Sequence, residues 1–243
     1  MRDYKAEFEN RVAYIRRTLE KAHCDGLVFG NSGGKDCALV GILCKAACDN
    51  TVGVIMPCAS KRNYGADADH AVILADSFNI ESRTVDLSPA REAMVEELSK
   101  VSSLNSGALT NIAPRLRMTT LYAIAAAENR LVAGTGNRSE RHMGYFTKWG
   151  DGASDFNPIS DLTATEVFEF LEYLNAPRCI IDKAPSAGLF DGQTDEAEMG
   201  VSYKAIDGFL LYGTVNECDK AIIDRYHSRS EHKRRPISTF ENP

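Results

Sequence analysis

The chain has 243 residues and a net charge of −6, and its pI is near 5.5. Hydrophobic residues make up 44% and charged residues 26%, which is typical of a globular protein that can bury a substantial core. The acidic balance argues against a general nucleic-acid binder. Apolar runs fall short of the ~18 residues of a membrane span. The charged N-terminal segment lacks the apolar core of a signal peptide, so we expect a cytoplasmic protein.

The first half of the chain alternates apolar and helical patterns. An amphipathic helix is predicted up to about Ala22, followed by buried strands and intervening helices: strands Gly26–Gly30, Thr51–Pro57 and Ser82–Leu87, helices Ala38–Cys48 and Asp67–Phe78. This alternation predicts right-handed βαβ units. The expected fold class is therefore α/β, with an open, mostly parallel twisted sheet and helices on both faces.

The second half is predicted to add four helices and one strand: helices Pro89–Lys100, Asn111–Arg130, Thr163–Leu174 and around Thr214–Tyr226, and strand Leu131–Thr135. Ser102–Gly107 and the long Gly-, Asn- and Asp-rich segment Gly136–Pro158 are predicted to be loops. The C-terminal RSEHKRRPISTFENP is predicted to be a polar tail. The sequence shows no internal repeat or low-complexity linker, so we expect a single domain over residues 1–243.

The sequence contains seven cysteines, an odd number without any CxxC pair. Several lie inside apolar segments such as GILCKAACDN. We interpret them as free, buried thiols of a reducing compartment, in preference to disulfides or zinc ligands.

A glycine-rich turn, GNSGGKDC, joins the first predicted strand to the next helix. Its residues precede a helix N-terminus, where free backbone N–H groups and the helix dipole favour an anion. Gly33 and Gly34 lack the Cβ atoms that would keep phosphate oxygens away from the backbone, and Ser32 can donate a hydrogen bond. A tight turn that binds nothing is the alternative.

Two common nucleotide-binding motifs do not fit this turn. A Walker A loop has four residues between its first glycine and its Gly-Lys pair, and Ser or Thr follows the lysine. Here three residues separate Gly30 from the Gly34-Lys35 pair, and Asp36 follows Lys35. The turn also lacks the G-x-G-x-x-G spacing of a dinucleotide-binding loop. Since a carboxylate beside phosphate needs a cation, Asp36 predicts magnesium.

SGGKDC resembles the SGG-x-D-S loop of the ATP pyrophosphatase superfamily. Four further segments resemble ammonia-dependent NAD synthetases, in the same order along the chain: NIAPRLRM, GTGNRSERHMGYFTKWGDGASDFNPI, KAPSAGL and EHKRR. The resemblance extends from about Arg11 to Phe240. It implies the Rossmann-like fold of adenine nucleotide alpha hydrolases, without a glutamine amidase domain. It also implies conversion of deamido-NAD to NAD with ATP, Mg²⁺ and ammonia through an acyl adenylate, releasing AMP and pyrophosphate, in a homodimer.

The resemblance also implies the site residues. Asp36 and Glu140 would bind magnesium and, with Lys148, form the catalytic set. The ATP-binding residues would be Gly30, Asn31, Ser32, Gly33, Gly34, Lys35, Asp36, Cys37, Thr135 and Ser186. The deamido-NAD-binding residues would be Arg115, Lys148, Asp155, His232 and Lys233. Arg115 and Arg117 lie ~200° apart on a helix, and the resemblance favours Arg115, leaving Arg117 for packing or charge pairing.

Two positions depart from the family pattern: Cys37 replaces a serine, and Ala164 stands where a lysine commonly contacts ATP. Lys35 or Lys183 could supply the missing cation. Other interpretations remain open: a nucleotide-binding sensor with little turnover, or another ATP pyrophosphatase acting in amidation or tRNA thiolation. Taken alone, Glu140 and Lys148 could be solvated surface charges and HKRR a basic tail.

Overall fold

The computed structural model describes residues 2–58, 64–183 and 194–240. Its sheet contains β1 Gly26–Gly30, β2 Thr51–Ile55, β3 Glu81–Thr84 and β4 Arg130–Val132. The strands pair in the order β3-β2-β1-β4, and each of these pairs is parallel. The predicted α/β fold with a parallel sheet is confirmed.

The described residues also form helices, some of which pack on this sheet. In chain order they are α1 Tyr4–Ala22, α2 Lys35–Ala47, α3 Ala66–Ser77, α4 Ser88–Ser99, α5 Ser106–Glu128, α6 Arg138–Met143, α7 Ala164–Tyr173, α8 Arg178–Ile181, α9 Asp195–Met199, α10 Tyr203–Tyr212, α11 Glu217–Arg229 and α12 Glu231–Arg234. None of the helices in these parts of the chain is both long and apolar enough to cross a membrane.

Both faces of the sheet are buried under helices. Along β1, Leu27 and Phe29 join the core that contains the apolar face of α2, whereas Val28 joins the core on the opposite face, with Ala113 and Ala125 of α5. Successive side chains of a strand point to opposite faces, which explains this division. A strand covered on both sides has to be apolar throughout, as GLVFG is.

The strand order creates a crevice at one edge of the sheet. The chain runs from β1 to β2 and β3 on one side, and β4 then pairs with β1 on the other. After the adjacent carboxyl ends of β1 and β4, the chain therefore continues in opposite directions along the sheet, which makes this place a topological switch point. Open α/β sheets bind ligands at such points, and the glycine-rich turn follows β1 there.

Arg11 connects α1 to Pro158 and Asp161. Its guanidinium donates to both carboxylate oxygens of Asp161, at 2.7 and 2.8 Å, and to the carbonyl oxygen of Pro158. Arg11 is 9% exposed. A bidentate arginine–carboxylate pair fixes both distance and orientation, so α1 anchors the end of the segment 136–158.

The prediction that Gly136–Pro158 is a loop throughout was wrong, and other helices of the second half were not predicted. The segment Gly136–Pro158 contains α6, the polar tail contains α12, and α10 was not predicted. The helices α6 and α12 span six and four residues, too short for a hydrophobic period to appear. In α10, Gly208 lowers helix propensity, and packing of the buried Tyr203 and Ile206 compensates.

The seven cysteines all fall within the described residues and are free thiols, as predicted. Cys37, Cys44 and Cys58 are buried, whereas Cys218 is exposed. The prediction of free thiols is confirmed, and that of burial holds for part of the set.

Candidate active site

Asn31 holds the glycine-rich turn through hydrogen bonds to its neighbours. This residue is 2% exposed, and its side-chain amide donates to the carbonyl oxygen of Ala71 at 2.9 Å. Its backbone N–H donates to the carbonyl oxygen of Val54, and its side-chain oxygen accepts from the N–H of Gly33 at 3.3 Å. Asn31 therefore ties the turn to both β2 and α3, which gives a rigid cradle at the start of α2.

Gly33 has a backbone conformation that requires glycine. Its φ is +65°, in the left-handed region, and a Cβ built on it would lie 2.4 Å from the carbonyl oxygen of Asp67 and 2.9 Å from the N atom of Ala71. Both neighbours are backbone atoms of the α3 helix and cannot rotate away. The second glycine, Gly34, is the N-cap of α2 with φ −97°, a conformation open to other residues.

Cys37 points into the turn. Its Sγ accepts from the backbone N–H of Ser32 at 3.3 Å, lies 3.3 Å from the Ser32 hydroxyl, and donates to the carbonyl oxygen of Gly34 at 3.1 Å. Cys37 is 4% exposed. The thiol therefore organises the turn from inside, and a hydroxyl could make the same contacts.

Replacing Cys37 by serine is expected to preserve activity and to tighten ATP binding modestly, because a hydroxyl forms stronger hydrogen bonds than a thiol. Calorimetric titration with ATP measures this. Cys48→Ser, at the far end of the same helix, is the matched control and should bind ATP like the wild type. A tenfold loss of affinity, about 1.4 kcal/mol, would show that the thiol has a role of its own.

Asp36 and Glu140 converge beside the turn, with Asn137 between them. Asn137 is fully buried and donates from its side-chain amide to Asp36 Oδ1 at 3.0 Å. It also begins α6 with a capping box, accepting from the N–H of Glu140 at 3.0 Å and donating its own N–H to Glu140 Oε2 at 3.1 Å. One short helix therefore sets the position of one carboxylate relative to the other.

The two carboxylates create a site for a cation. Burial raises the pKa of Glu140 well above its ordinary value, and repulsion by Asp36 also raises it. The positive charge of Lys35 partly offsets these two effects. A cation between them relieves that repulsion. Mg²⁺ is commonly held by one or two carboxylates together with substrate phosphates, so the pair fits magnesium. The described residues contain no cluster of three or more side chains able to hold a metal alone.

The ammonium group of Lys35 lies among these carboxylates. It pairs with Asp36 and lies 3.6 Å from Glu140 Oε1. Burial alone would lower the pKa of Lys35, but the charges of Asp36 and Glu140 raise it above its ordinary value. Ala164 is 1% exposed and belongs to the same apolar cluster as Tyr203, whose ring lies 5.4 Å from the Lys35 ammonium.

Lys183 lies on the other side of the turn. Its ammonium donates to the carbonyl oxygen of Gly33 at 2.9 Å and pairs with Asp67 at 2.8 Å. Both lysines proposed to replace the cation missing at Ala164 are therefore close to the turn, Lys35 on its carboxylate side and Lys183 on its α3 side.

A single cavity of about 1240 Å³ opens over the turn and the carboxylates. That volume exceeds the roughly 300–1,000 Å³ of pockets for one small ligand, so it suits more than one. Predicted residues that line it include Gly30, Asn31, Ser32, Gly34, Lys35, Asp36, Cys37, Thr135, Glu140 and Lys233. The crevice at the carboxyl ends of β1 and β4 is therefore part of the same cavity as the turn and the carboxylates.

The other residues predicted for deamido-NAD lie outside that lining. Lys148 donates to the carbonyl oxygen of His232 at 2.7 Å, and Arg115 donates to that of Lys148 at 3.3 Å. Asp155 is exposed and accepts from the Tyr122 hydroxyl at 3.2 Å. The carboxylate of Asp155 also accepts from the backbone N–H of Val132 at 2.7 Å. We call Arg115, Lys148, Asp155 and His232 the outer group. Ser186 lies outside the described residues.

Sequence reasoning missed several residues of the site. Arg117 was left for packing or charge pairing. Its side chain donates to the carbonyl oxygen of Met56 and also lines the cavity, whereas Arg115 is exposed and lies outside the lining. Asn137 was not singled out, although Asn137 and Glu140 have the spacing of a capping box. Asp195 also lines the cavity and accepts from Tyr203 at 2.9 Å, and no local pattern marks it.

A parallel α/β sheet with a glycine-rich turn at its switch point, opening a helix, is the arrangement typical of nucleotide-binding α/β proteins. A family model described as NAD synthase matches residues 7–240. The chain belongs to this family, a family of ligases, and the resemblance stated from its motifs is confirmed.

Individual relatives agree with this assignment. An NH(3)-dependent NAD(+) synthetase of Carboxydothermus hydrogenoformans is 45% identical over 236 residues, 96% of each chain. Among solved structures, an NMN synthetase from Francisella tularensis superimposes with a TM-score of 0.94 at 38% identity and covers 100% of both chains. An NH3-dependent NAD synthetase from Campylobacter jejuni gives 0.80 at 28% identity, covering 99% of this chain and 100% of that one.

Proposed function

We propose that this protein is an ammonia-dependent NAD synthetase that amidates deamido-NAD with ATP as second substrate. The observation that carries the proposal is the convergence of Asp36 and Glu140 beside an anion-binding turn, inside a cavity of about 1240 Å³. Family membership supports the same activity. The proposal covers residues 1–243 as a single domain.

The reaction requires an activated carboxyl group, because ammonia attacks a carboxylate only poorly. An oxygen of the nicotinate carboxylate bonds to the α-phosphorus of ATP, and the bond from that phosphorus to the pyrophosphate oxygen breaks. Ammonia then attacks the acyl carbon. The bond from that carbon to the AMP oxygen breaks, AMP leaves, and a proton is lost from nitrogen. Positioning and charge neutralisation are the main tasks of the protein.

The glycine-rich turn is suited to the departing pyrophosphate. Backbone N–H groups of the turn and the positive end of the α2 dipole favour an anion there. Asp36 and Glu140 would hold the Mg²⁺ ion, which neutralises charge on the phosphate oxygens when bound. Thr135, beyond the end of β4, would contact ATP from the opposite wall of the crevice.

The outer group supports a homodimeric arrangement. Arg115 and Asp155 are exposed, and Arg115 donates to the carbonyl oxygen of Lys148, whose ammonium group donates to that of His232. We propose that a second copy of the chain completes a binding surface there for deamido-NAD, with Lys233 reaching from the cavity side. The free thiols are consistent with a cytoplasmic protein, which we also propose.

A second candidate function follows from one observation. The Francisella NMN synthetase superimposes over the whole of both chains with the TM-score of 0.94. A mononucleotide substrate presents the same nicotinate carboxylate as deamido-NAD and lacks the adenylate half. Amidation of nicotinate mononucleotide would therefore use the same turn, carboxylates and metal.

One assay separates these functions. The purified protein is supplied with ATP and Mg²⁺, with deamido-NAD or nicotinate mononucleotide as acceptor and ammonium or glutamine as donor. We expect NAD formation with ammonium, a much slower reaction with glutamine, and a higher kcat/KM for deamido-NAD than for the mononucleotide.

The opposite preference for the acceptor would assign the protein as an NMN synthetase. Pyrophosphate release is measured in parallel. Tight ATP binding without release of pyrophosphate on addition of either acceptor would contradict both enzymatic functions and favour a nucleotide sensor.

A further inference from the structure

The ammonium group of Lys35 is enclosed by groups that stabilise a cation. It contacts the carboxylates of Asp36 and Glu140 and lies 5.4 Å from the ring centre of Tyr203 and 5.9 Å from that of Phe168. The residue is 6% exposed. A lysine is rarely buried to this extent unless it is paired, so the arrangement is a built cation site within the chain.

The negative charges around Lys35 explain why its positive charge is needed there. Asp36 and Glu140 are close enough to share one ammonium group, and Asp195, hydrogen-bonded to Tyr203, adds a further negative charge that acts on Lys35. Buried like charges repel strongly because little solvent screens them. Without a metal, Lys35 is the group placed between the two carboxylates.

We propose that Lys35 is a positioning residue that holds Asp36 and Glu140 together in the metal-free protein and gives them up when Mg²⁺ arrives. The assignment of these carboxylates as metal ligands rests on the proposed function. Magnesium on its own has to compete with the ammonium group for the same oxygens. Magnesium bound to ATP would bring phosphate oxygens beside the turn, and these would give the displaced ammonium group of Lys35 new anionic partners.

The test uses the full chain without nucleotide. Lys35→Met removes the charge and keeps most of the stem, and Lys45→Met is the matched control, since Lys45 lies on the same helix and pairs with Asp49 at its far end. We expect Lys35→Met to have a lower Tm in EDTA than the wild type. Its Mg²⁺ affinity by calorimetry should rise at least tenfold, and Mg²⁺ should restore its Tm. Lys45→Met should match the wild type in Mg²⁺ affinity.

An unchanged Mg²⁺ affinity in Lys35→Met, or an unchanged Tm in EDTA, would overturn the proposal. Lys35→Arg keeps the charge and should bind Mg²⁺ within threefold of the wild type even if Lys35→Met does not fold. A tenfold gain in Lys35→Arg would also overturn it. Because no substrate is present, these results stand whether or not the protein forms NAD, so failure here and failure of the proposed function are separate outcomes.

Discussion

Glu140→Gln is expected to lower the rate of NAD formation by about a hundredfold or more, roughly 2.7 kcal/mol of barrier. The substitution removes the charge that would hold Mg²⁺ opposite Asp36. The amide oxygen of Gln can still accept from the Asn137 N–H, so the capping box of α6 is retained and the fold should remain intact. Initial rates of NAD formation over a range of Mg²⁺ concentrations measure the effect.

The matched control is Glu169→Gln, which makes the same change of charge on the exposed side of α7, where Glu169 accepts from Tyr4. It should form NAD at the wild-type rate. If Glu140→Gln retains activity within threefold of the wild type at every Mg²⁺ concentration, the assignment of Glu140 as a metal ligand is wrong.

Gly33→Ala is expected to lower the free energy of unfolding by about 3 kcal/mol or more and to weaken ATP binding at least tenfold. The left-handed backbone accounts for roughly 1–2 kcal/mol of that loss. The remainder comes from the new Cβ, which would lie 2.4 Å from the carbonyl oxygen of Asp67 and so displace the turn from α3. Denaturant unfolding and calorimetric titration with ATP test the two parts.

Gly213→Ala separates the two causes. Gly213 has φ +68°, close to that of Gly33, but nothing lies within 4 Å of a Cβ built on it. This variant should lose only the backbone contribution and should bind ATP like the wild type. Equal losses of stability in the two variants would show that contact with α3 does not hold the turn.

The sequence predicted those parts of the fold that are decided locally. The strand GLVFG is apolar throughout because both its faces are covered, and the glycine-rich turn carries its own residue requirements. The strand order depends on which β-strands meet across the whole chain, and periodicity contains no information on it. The short α6 helix was missed because the capping box of Asn137, and not a hydrophobic period, forms it.

The site was predicted unevenly for a similar reason. Asn137 and Asp36 are separated by 101 positions in the chain, so no local pattern predicts their contact. The resemblance placed Lys35 among the ATP-binding residues, whereas its position beside two carboxylates and near the rings of Tyr203 and Phe168 is visible only in the folded chain. The residues proposed to bind deamido-NAD stay predictions, since Arg115 and Asp155 are exposed and lie outside the lining of the cavity.

The two carboxylate oxygens of Glu140 have different partners. Oε2 accepts from the backbone N–H of Asn137 and closes the first turn of α6, whereas Oε1 faces Lys35. A ligand that draws this carboxylate towards itself therefore acts on the hydrogen bond that begins the helix. We therefore expect the hydrogen exchange rate of the Asn137 amide to change when the site is occupied, which would report ligand binding without turnover.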